Sequence, residues 1–432
     1  MTSPTTREAP SSARMNGVLF LLSLSVLINY IDRSNLAIAA ELIKHEIFIS
    51  DWQEGLLLGA FFWTYALMQI PAGWLVDRFD VKWVFAAGFF VWSASTAITA
   101  LLHGFVALLI IRVILGLGES IAFPSCGKIL GTYFKTRHRG FANSMLMVGL
   151  ALGPALGMWV GGRAVGRFGW RPFFLLLGLA GLLWLPPWFA WMPRRRDTPT
   201  SPTASPGKTA GVLDILRQRS AWGTCIGQAS INYYLYFLVT WLPSYLLRGR
   251  HLSLRDVANA GGMLFLISAI SSAASGKLSD RWVHAGASPT SVRKGMMLFG
   301  HVGIGISLAL SVVATGPLFV ATLAFTGAFL GISVCNSWCI SQILAGPRMV
   351  GRWVGVQNFV GNLGGAVAPV LTGFLLGRTH SYDWPFLITA AVAWIGGLAW
   401  WFVVGPLEEV NWEAKRGALS IPDYPAAESA RP

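Results

Sequence analysis

Four ionisable residues sit where an apolar chain is least expected to carry them. Asp32 and Arg33 follow one another inside the first long apolar stretch, and Arg112 and Glu119 lie inside a later one. A charge at the centre of a bilayer costs a few kcal/mol or more, so each must face a cavity or a partner. Neighbours on a helix point about 100° apart, so Asp32 and Arg33 cannot serve one contact. Arg112 and Glu119 are separated by nearly two turns, which puts both on one face roughly 10 Å apart along the axis. A cation and an acid on a single stripe suit a carrier that holds an anion at one level and a proton at another. Glu119 closes the stretch Gly116-Leu117-Gly118-Glu119, whose small residues permit close helix approach. An acid in such surroundings is costly to keep charged, which suits a group that takes up a proton. The structural alternative for both pairs is a buried tie that only shapes packing.

These residues need membrane-spanning elements to position them. Of the 432 residues 54% are hydrophobic and 12% charged, against about 25% charged in soluble domains. Apolar runs such as Val18–Ile31, Val84–Leu102 and Leu387–Val404 approach the roughly 20 residues that cross a bilayer as a helix. Asp32-Arg33 interrupts the first run before a cleavage-like Ala37-Ile38-Ala39, so that run reads as an uncleaved helix rather than a signal peptide. The pattern predicts twelve helices, near 16–38, 54–76, 81–102, 104–127, 140–162, 171–192, 219–247, 256–279, 294–314, 317–341, 352–376 and 383–404. The expected organisation is a disordered tail over 1–14, a six-helix bundle over 15–192, a linker over 193–218, a second bundle over 219–404 and a tail over 405–432. The linker carries Arg194-Arg195-Arg196 and then Ser, Thr, Pro and Gly.

The net charge of +14 reflects loop placement rather than a nucleic-acid partner. The loops on the side of the termini carry 23 Lys and Arg, and the opposite loops carry 8. The positive-inside rule then puts both termini in the cytoplasm of a cell (inner) membrane protein. Cys335 and Cys339 share a helix face, but two thiols without His or further Cys nearby point to packing, and neither a metal nor another cofactor is implied. There is no phosphate-binding Gly-rich loop, His-rich metal pattern or nucleophile elbow, so an enzyme is not expected.

An internal repeat links the halves. Gly73-x-Leu75-x-Asp77-Arg78 recurs as Gly276-x-Leu278-x-Asp280-Arg281, and Asn143, Gly149 and Pro154 recur as Asn358, Gly364 and Pro369. The first of these, with its weaker copy, resembles the signature loop of the major facilitator superfamily. Asn29-Tyr30-Ile31-Asp32-Arg33-Ser34-Asn35, the stretch Arg112 to Glu119, Trp241-Leu242-Pro243-Ser244-Tyr245 and Asn358-Phe359-Val360-Gly361-Asn362 resemble its anion:cation symporter branch, which includes galactonate and glucarate carriers. The resemblance covers roughly residues 15–405.

It implies an all-α integral membrane fold of two pseudo-symmetric six-helix bundles, and proton-coupled import of a small organic anion, such as a sugar acid, by alternating access. An exporter or exchanger, or a membrane metabolite sensor, is the alternative. By this resemblance Arg33 and Arg112 hold the substrate carboxylate, and Asp32 and Glu119 take up protons. Tyr30 and Tyr65 are candidate hydroxyl donors. Asn358 and Asn362 share a face at i, i+4, and Tyr236 belongs to a polar cluster with Asn232, Tyr233 and Tyr234. Asp77, Arg78, Asp280 and Arg281 are read as gate residues. Asp80 stands where the family usually has Gly, so the turn there is expected to differ. Gly149-x-x-x-Gly153-Pro154-x-x-Gly157 resembles a motif of drug:proton antiporters, although close helix packing explains it as well. The expected partners are an organic anion, protons and lipid, with no nucleic acid and a monomeric state.

Overall fold

The computed structural model describes residues 12–134, 136–193, 211–410 and 412. The side chains of Asp77 and Asn143 also lie outside the described part. The described chain is helical, without a strand: α1 (Ser12–Ile47), α2 (Asp51–Arg78), α3 (Val81–Thr99), α4 (Phe105–Glu119), α5 (Ala122–Tyr133), α6 (Thr136–Leu156), α7 (Gly162–Phe168), α8 (Trp170–Leu182), α9 (Leu185–Trp191), α10 (Val212–Leu216), α11 (Arg219–Ser244), α12 (Leu254–His284), α13 (Pro289–Val313), α14 (Gly316–Thr379) and α15 (Asp383–Leu398). α14 holds two predicted helices, broken at Gly346, whose φ of 65° suits glycine.

Among the described residues eleven segments are long and apolar enough to cross a membrane. α11 occupies the place of the seventh expected helix. At 26 residues it is long enough, but Gln228, Ser230, Asn232 and Thr240 make it more polar. The apolar pattern ends the first helix near 38, whereas α1 runs to Ile47. Of the expected linker, 194–210 lies outside the described residues, and its end contains the short helix α10. Ser50 and Gln53 form a capping box at the start of α2. Asp80 caps α3 by accepting from the Lys82 amide at 3.0 Å, so the aspartate serves the turn with ordinary backbone angles.

Pro154 and Pro243 each remove a backbone donor from their helix. A π-helical turn follows each, over Gly157–Gly161 and Tyr245–Gly249. The glycines of α6 form a seam against α1. A Cβ at Gly149 would stand 2.7 Å from the Ser23 carbonyl, one at Gly153 2.4 Å from Tyr30 Cβ, and one at Gly157 2.0 Å from Ser34 Oγ. The motif therefore packs helices closely. The repeat reproduces the device: a Cβ at Gly364 would stand 2.5 Å from the Ala229 carbonyl of α11.

A second symmetry concerns lysines. Lys82 Nζ donates to the carbonyls of Phe189 and Met192 at 2.8 and 2.7 Å, and Lys294 Nζ donates to Val404 at 2.5 Å. In each half an ammonium at the start of the third span closes the carbonyl end of the sixth.

The halves meet closely at the end that holds the α1–α2 turn. There a Cβ on Gly55 would lie 2.8 Å from the Pro369 carbonyl and 3.0 Å from Gly373 Cα. Arg163 of α7 donates to Asn259 of α12 at 2.8 Å.

Candidate functional site

α1 carries Asp32 and Arg33 to the middle of the bundle, and their side chains diverge as helical geometry requires. Asp32 Oδ2 accepts a hydrogen bond from the Trp92 indole of α3. Arg33 turns the other way. Its Nε donates to Glu119 Oε2 on α4 at 3.2 Å, and its Nη1 donates to the Tyr236 hydroxyl on α11 at 3.1 Å. One guanidinium thus joins an acid of the first half to a phenol of the second. It also lies 4.8, 4.9 and 4.5 Å from the ring centres of Tyr30, Phe61 and Tyr65, within cation–π range.

Glu119 is fully buried. Its Oε2 accepts from both Arg33 and Asn29, the latter at 2.7 Å. Arg112 is also buried and stands 5.4 Å from the Phe61 ring centre. Asp32 Oδ1, Arg33 Nη2, Arg112 Nε and Glu119 Oε1 have no protein partner. A buried polar atom left so costs about 1–3 kcal/mol, and four such atoms on three side-chain types favour a ligand-handling site over a structural tie.

The second half adds a hydrogen-bonded string. The Tyr236 hydroxyl donates to Asn362 Oδ1 at 3.5 Å, and Asn362 Nδ2 donates to the Asn358 carbonyl at 2.8 Å. Asn362 is buried and Asn358 half-buried. Beside it Gln228 donates to Asn232 at 3.0 Å, Gln357 donates to Gln228 at 3.1 Å, and Ser341 donates to Gln357. Asp32, Arg33, Arg112, Glu119, Tyr30, Tyr65, Tyr236 and Asn362 are therefore brought together around one centre. The Asn358 carbonyl joins it by accepting from Asn362.

The expected gate residues lie at the opposite end from the α1–α2 turn. Arg78, Asp280 and Arg281 are exposed, and Asp280 pairs with Arg293 at 2.9 Å. A charged cluster that the sequence reading did not single out joins the halves at the α1–α2 end. Arg248, just past α11, contacts Glu41 at 2.8 Å, Asp51 at 2.5 Å and Glu54 at 2.8 Å. Lys44 pairs with Asp51 and lies 3.7 Å from Glu54, which also accepts from Ser244 at 2.9 Å. Sequence reading also passed over Asn29 and Trp92. Asn29 precedes Arg33 by one turn on the same face, a signal that spacing could have supplied. Trp92 is one of 20 tryptophans in a lipid-suited chain and carries no such signal.

Comparison with known proteins agrees with this architecture. The chain is 30% identical to the hexuronate transporter of Bacillus subtilis (strain 168), over 88% of this chain and 93% of that protein. It is 27% identical to a probable L-galactonate transporter of Escherichia coli (strain K12), over 89% of this chain and 88% of that one. Among solved structures, a bacterial homolog of the human lysosomal transporter Spinster, inward-facing and unoccupied, aligns with a TM-score of 0.77 at 19% identity, over 92% of this chain and 98% of that one. The D-xylose-proton symporter aligns with a TM-score of 0.73 at 16% identity, over 91% and 98%. Residues 22–366 match the Major Facilitator Superfamily, and with the helical architecture and the transporter relatives this match means that the chain belongs to that family of membrane transporters.

Proposed function

We propose that this protein imports a sugar acid, such as a hexuronate or hexonate, together with protons across the inner membrane, with both termini in the cytoplasm. The observation that carries the reading is the bridge from Glu119 through Arg33 to Tyr236. The similarity to a hexuronate transporter, a D-galactonate transporter and a probable galactarate/D-glucarate transporter supports the substrate class. The excess of Lys and Arg in loops on the side of the termini supports the orientation.

Protonation of Glu119 removes the charge that holds Arg33 Nε. The guanidinium can then turn its fork toward an incoming carboxylate and make two parallel charge-assisted hydrogen bonds. Arg112, buried and without a carboxylate in bonding contact, supplies a second cation. Asp32, tied to Trp92 by one oxygen only, is the second proton acceptor. Tyr30, Tyr65, Tyr236, Asn358 and Asn362 meet the hydroxyls of the acid. Rocking of the halves about this centre exposes it to each side in turn. The closed end is the one with the Arg248 cluster, and Asp77, Arg78, Asp280 and Arg281 act at the other.

The test is uptake into proteoliposomes of labelled D-glucuronate, D-galactonate and D-glucarate, with and without an inward proton gradient. Gradient-driven accumulation of at least one of them is the expected result. Accumulation of none, with efflux from loaded vesicles instead, would favour an exporter.

A further inference from the structure

Asp32 owes its orientation to a helix that takes no other part in the site. Trp92 is fully buried on α3, and its indole N–H donates to Asp32 Oδ2 of α1. The ring is itself fixed. It packs on Phe89 at 4.4 Å between centroids, Phe89 stacks on Trp184 at 4.2 Å, and Trp184 stacks on Trp188 at 4.7 Å. Both outer indoles are anchored by hydrogen bonds, Trp184 to the Leu21 carbonyl and Trp188 to the Lys82 carbonyl, at 2.8 and 2.9 Å. Against its backbone lies Gly118, where a Cβ would come 2.8 Å from the Trp92 nitrogen, so the residue before Glu119 keeps α4 in register with it. A donor held this firmly leaves Asp32 one bonded and one unbonded oxygen.

We propose that Trp92 is a positioning residue for Asp32, holding Oδ2 so that Oδ1 takes the proton on the site side. This rests on the reading of Asp32 as a proton acceptor. The charged groups that face Asp32 are Arg112 and Glu119 of α4. On the α6 side, Gly153 and, in the following π turn, Gly157 pack against this part of α1, and α11 presents Tyr236, which is bonded to Arg33. An indole N–H that donates to the charged carboxylate favours that form over the neutral one. Removing the donor therefore lets proton loading occur at higher pH.

The experiment compares wild type, Trp92→Phe, Phe89→Leu and protein carrying 3-benzothienylalanine at position 92, which keeps the bicyclic shape with sulfur in place of N–H. Each is reconstituted, and uptake of the acids named above is measured against pH. The Trp92→Phe and benzothienylalanine proteins should move the midpoint of the uptake profile up by about one pH unit, the size expected from one hydrogen bond to a charged group. Their KM at saturating proton should change less than about twofold. Phe89→Leu keeps the N–H but loosens the stack that holds it, and should move the midpoint in the same direction by less than loss of the N–H does. A wild-type midpoint in the benzothienylalanine protein overturns the proposal alone, whether or not Trp92→Phe inserts. A wild type that ignores the proton gradient overturns the proton reading and this proposal together.

Discussion

Arg248 Nη2 stands 2.8 Å from Glu54 Oε2, and the two residues belong to different halves of the molecule. Glu54 is 1% exposed at its side chain and Arg248 22%, so the acid is buried while the guanidinium stays partly open to solvent. Removal of one partner from a buried pair leaves the other uncompensated and is strongly destabilising.

Arg248→Ala should loosen this end of the transporter without touching the centre. Val370 packs on Gly59 across the same seam. A cysteine at position 370, in a background lacking the four native cysteines, should react with an impermeant thiol reagent about tenfold faster in the Arg248→Ala protein. Equilibrium affinity for substrate should stay within about threefold. An unchanged labelling rate would remove Arg248 from the closure.

Glu119→Gln should preserve substrate exchange and abolish concentrative uptake. The amide keeps the size and can still accept from Asn29, but it cannot release a proton. Counterflow skips the step in which the empty site must return, so it survives. Paired counterflow and gradient-driven uptake in proteoliposomes decide the matter. Accumulation against a gradient at the wild-type proton ratio would move the coupling role to Asp32 or elsewhere.

Arg112→Ala should abolish binding in an inserted, folded protein, with at least a hundredfold loss by calorimetry. Arg112→Lys should fail nearly as badly, since a point charge cannot give the paired bonds of a guanidinium fork. Affinity within threefold of wild type in either protein would exclude Arg112 from substrate.

Gly153→Val should destabilise the fold rather than the chemistry. Its Cβ would lie 2.4 Å from Tyr30 Cβ, with the Leu27 carbonyl at 3.0 Å. Overpacking of this kind costs about 1–3 kcal/mol, to be seen as a lower unfolding midpoint in detergent. An unchanged midpoint would show that α1 and α6 can part at no cost.

Lipid made the helices legible, because a span needs a fixed length of apolar sequence, and among the described residues eleven segments meet that requirement, with the more polar α11 in the place of the seventh expected helix. Helix ends were less legible. The last turns of α1 carry Glu41, Lys44 and His45, which read as loop but stay helical where Glu41 and Lys44 join the cluster around Arg248. The shared face of Arg112 and Glu119 followed from their spacing. The partner of Glu119 did not, because the rotation of α1 against α4 is set by packing, and that rotation gives the acid to Arg33 rather than to Arg112. Trp92 was invisible for a related reason. Its role depends on a single N–H reaching another helix, while its composition signal is the same as that of a lipid-facing ring.

The paired lysines have a consequence for how the chain is assembled. The last carbonyls of a sixth span enter the membrane with no helical turn beyond them to bond. In the first half the ammonium that receives them, on Lys82, has already been threaded into place three spans earlier. Lys294 offers the same reception to Val404 at the end of the last span of the second half. Each six-helix half thus closes the carbonyl end of its final helix with an ammonium from its own third span, so neither half depends on the other for that contact.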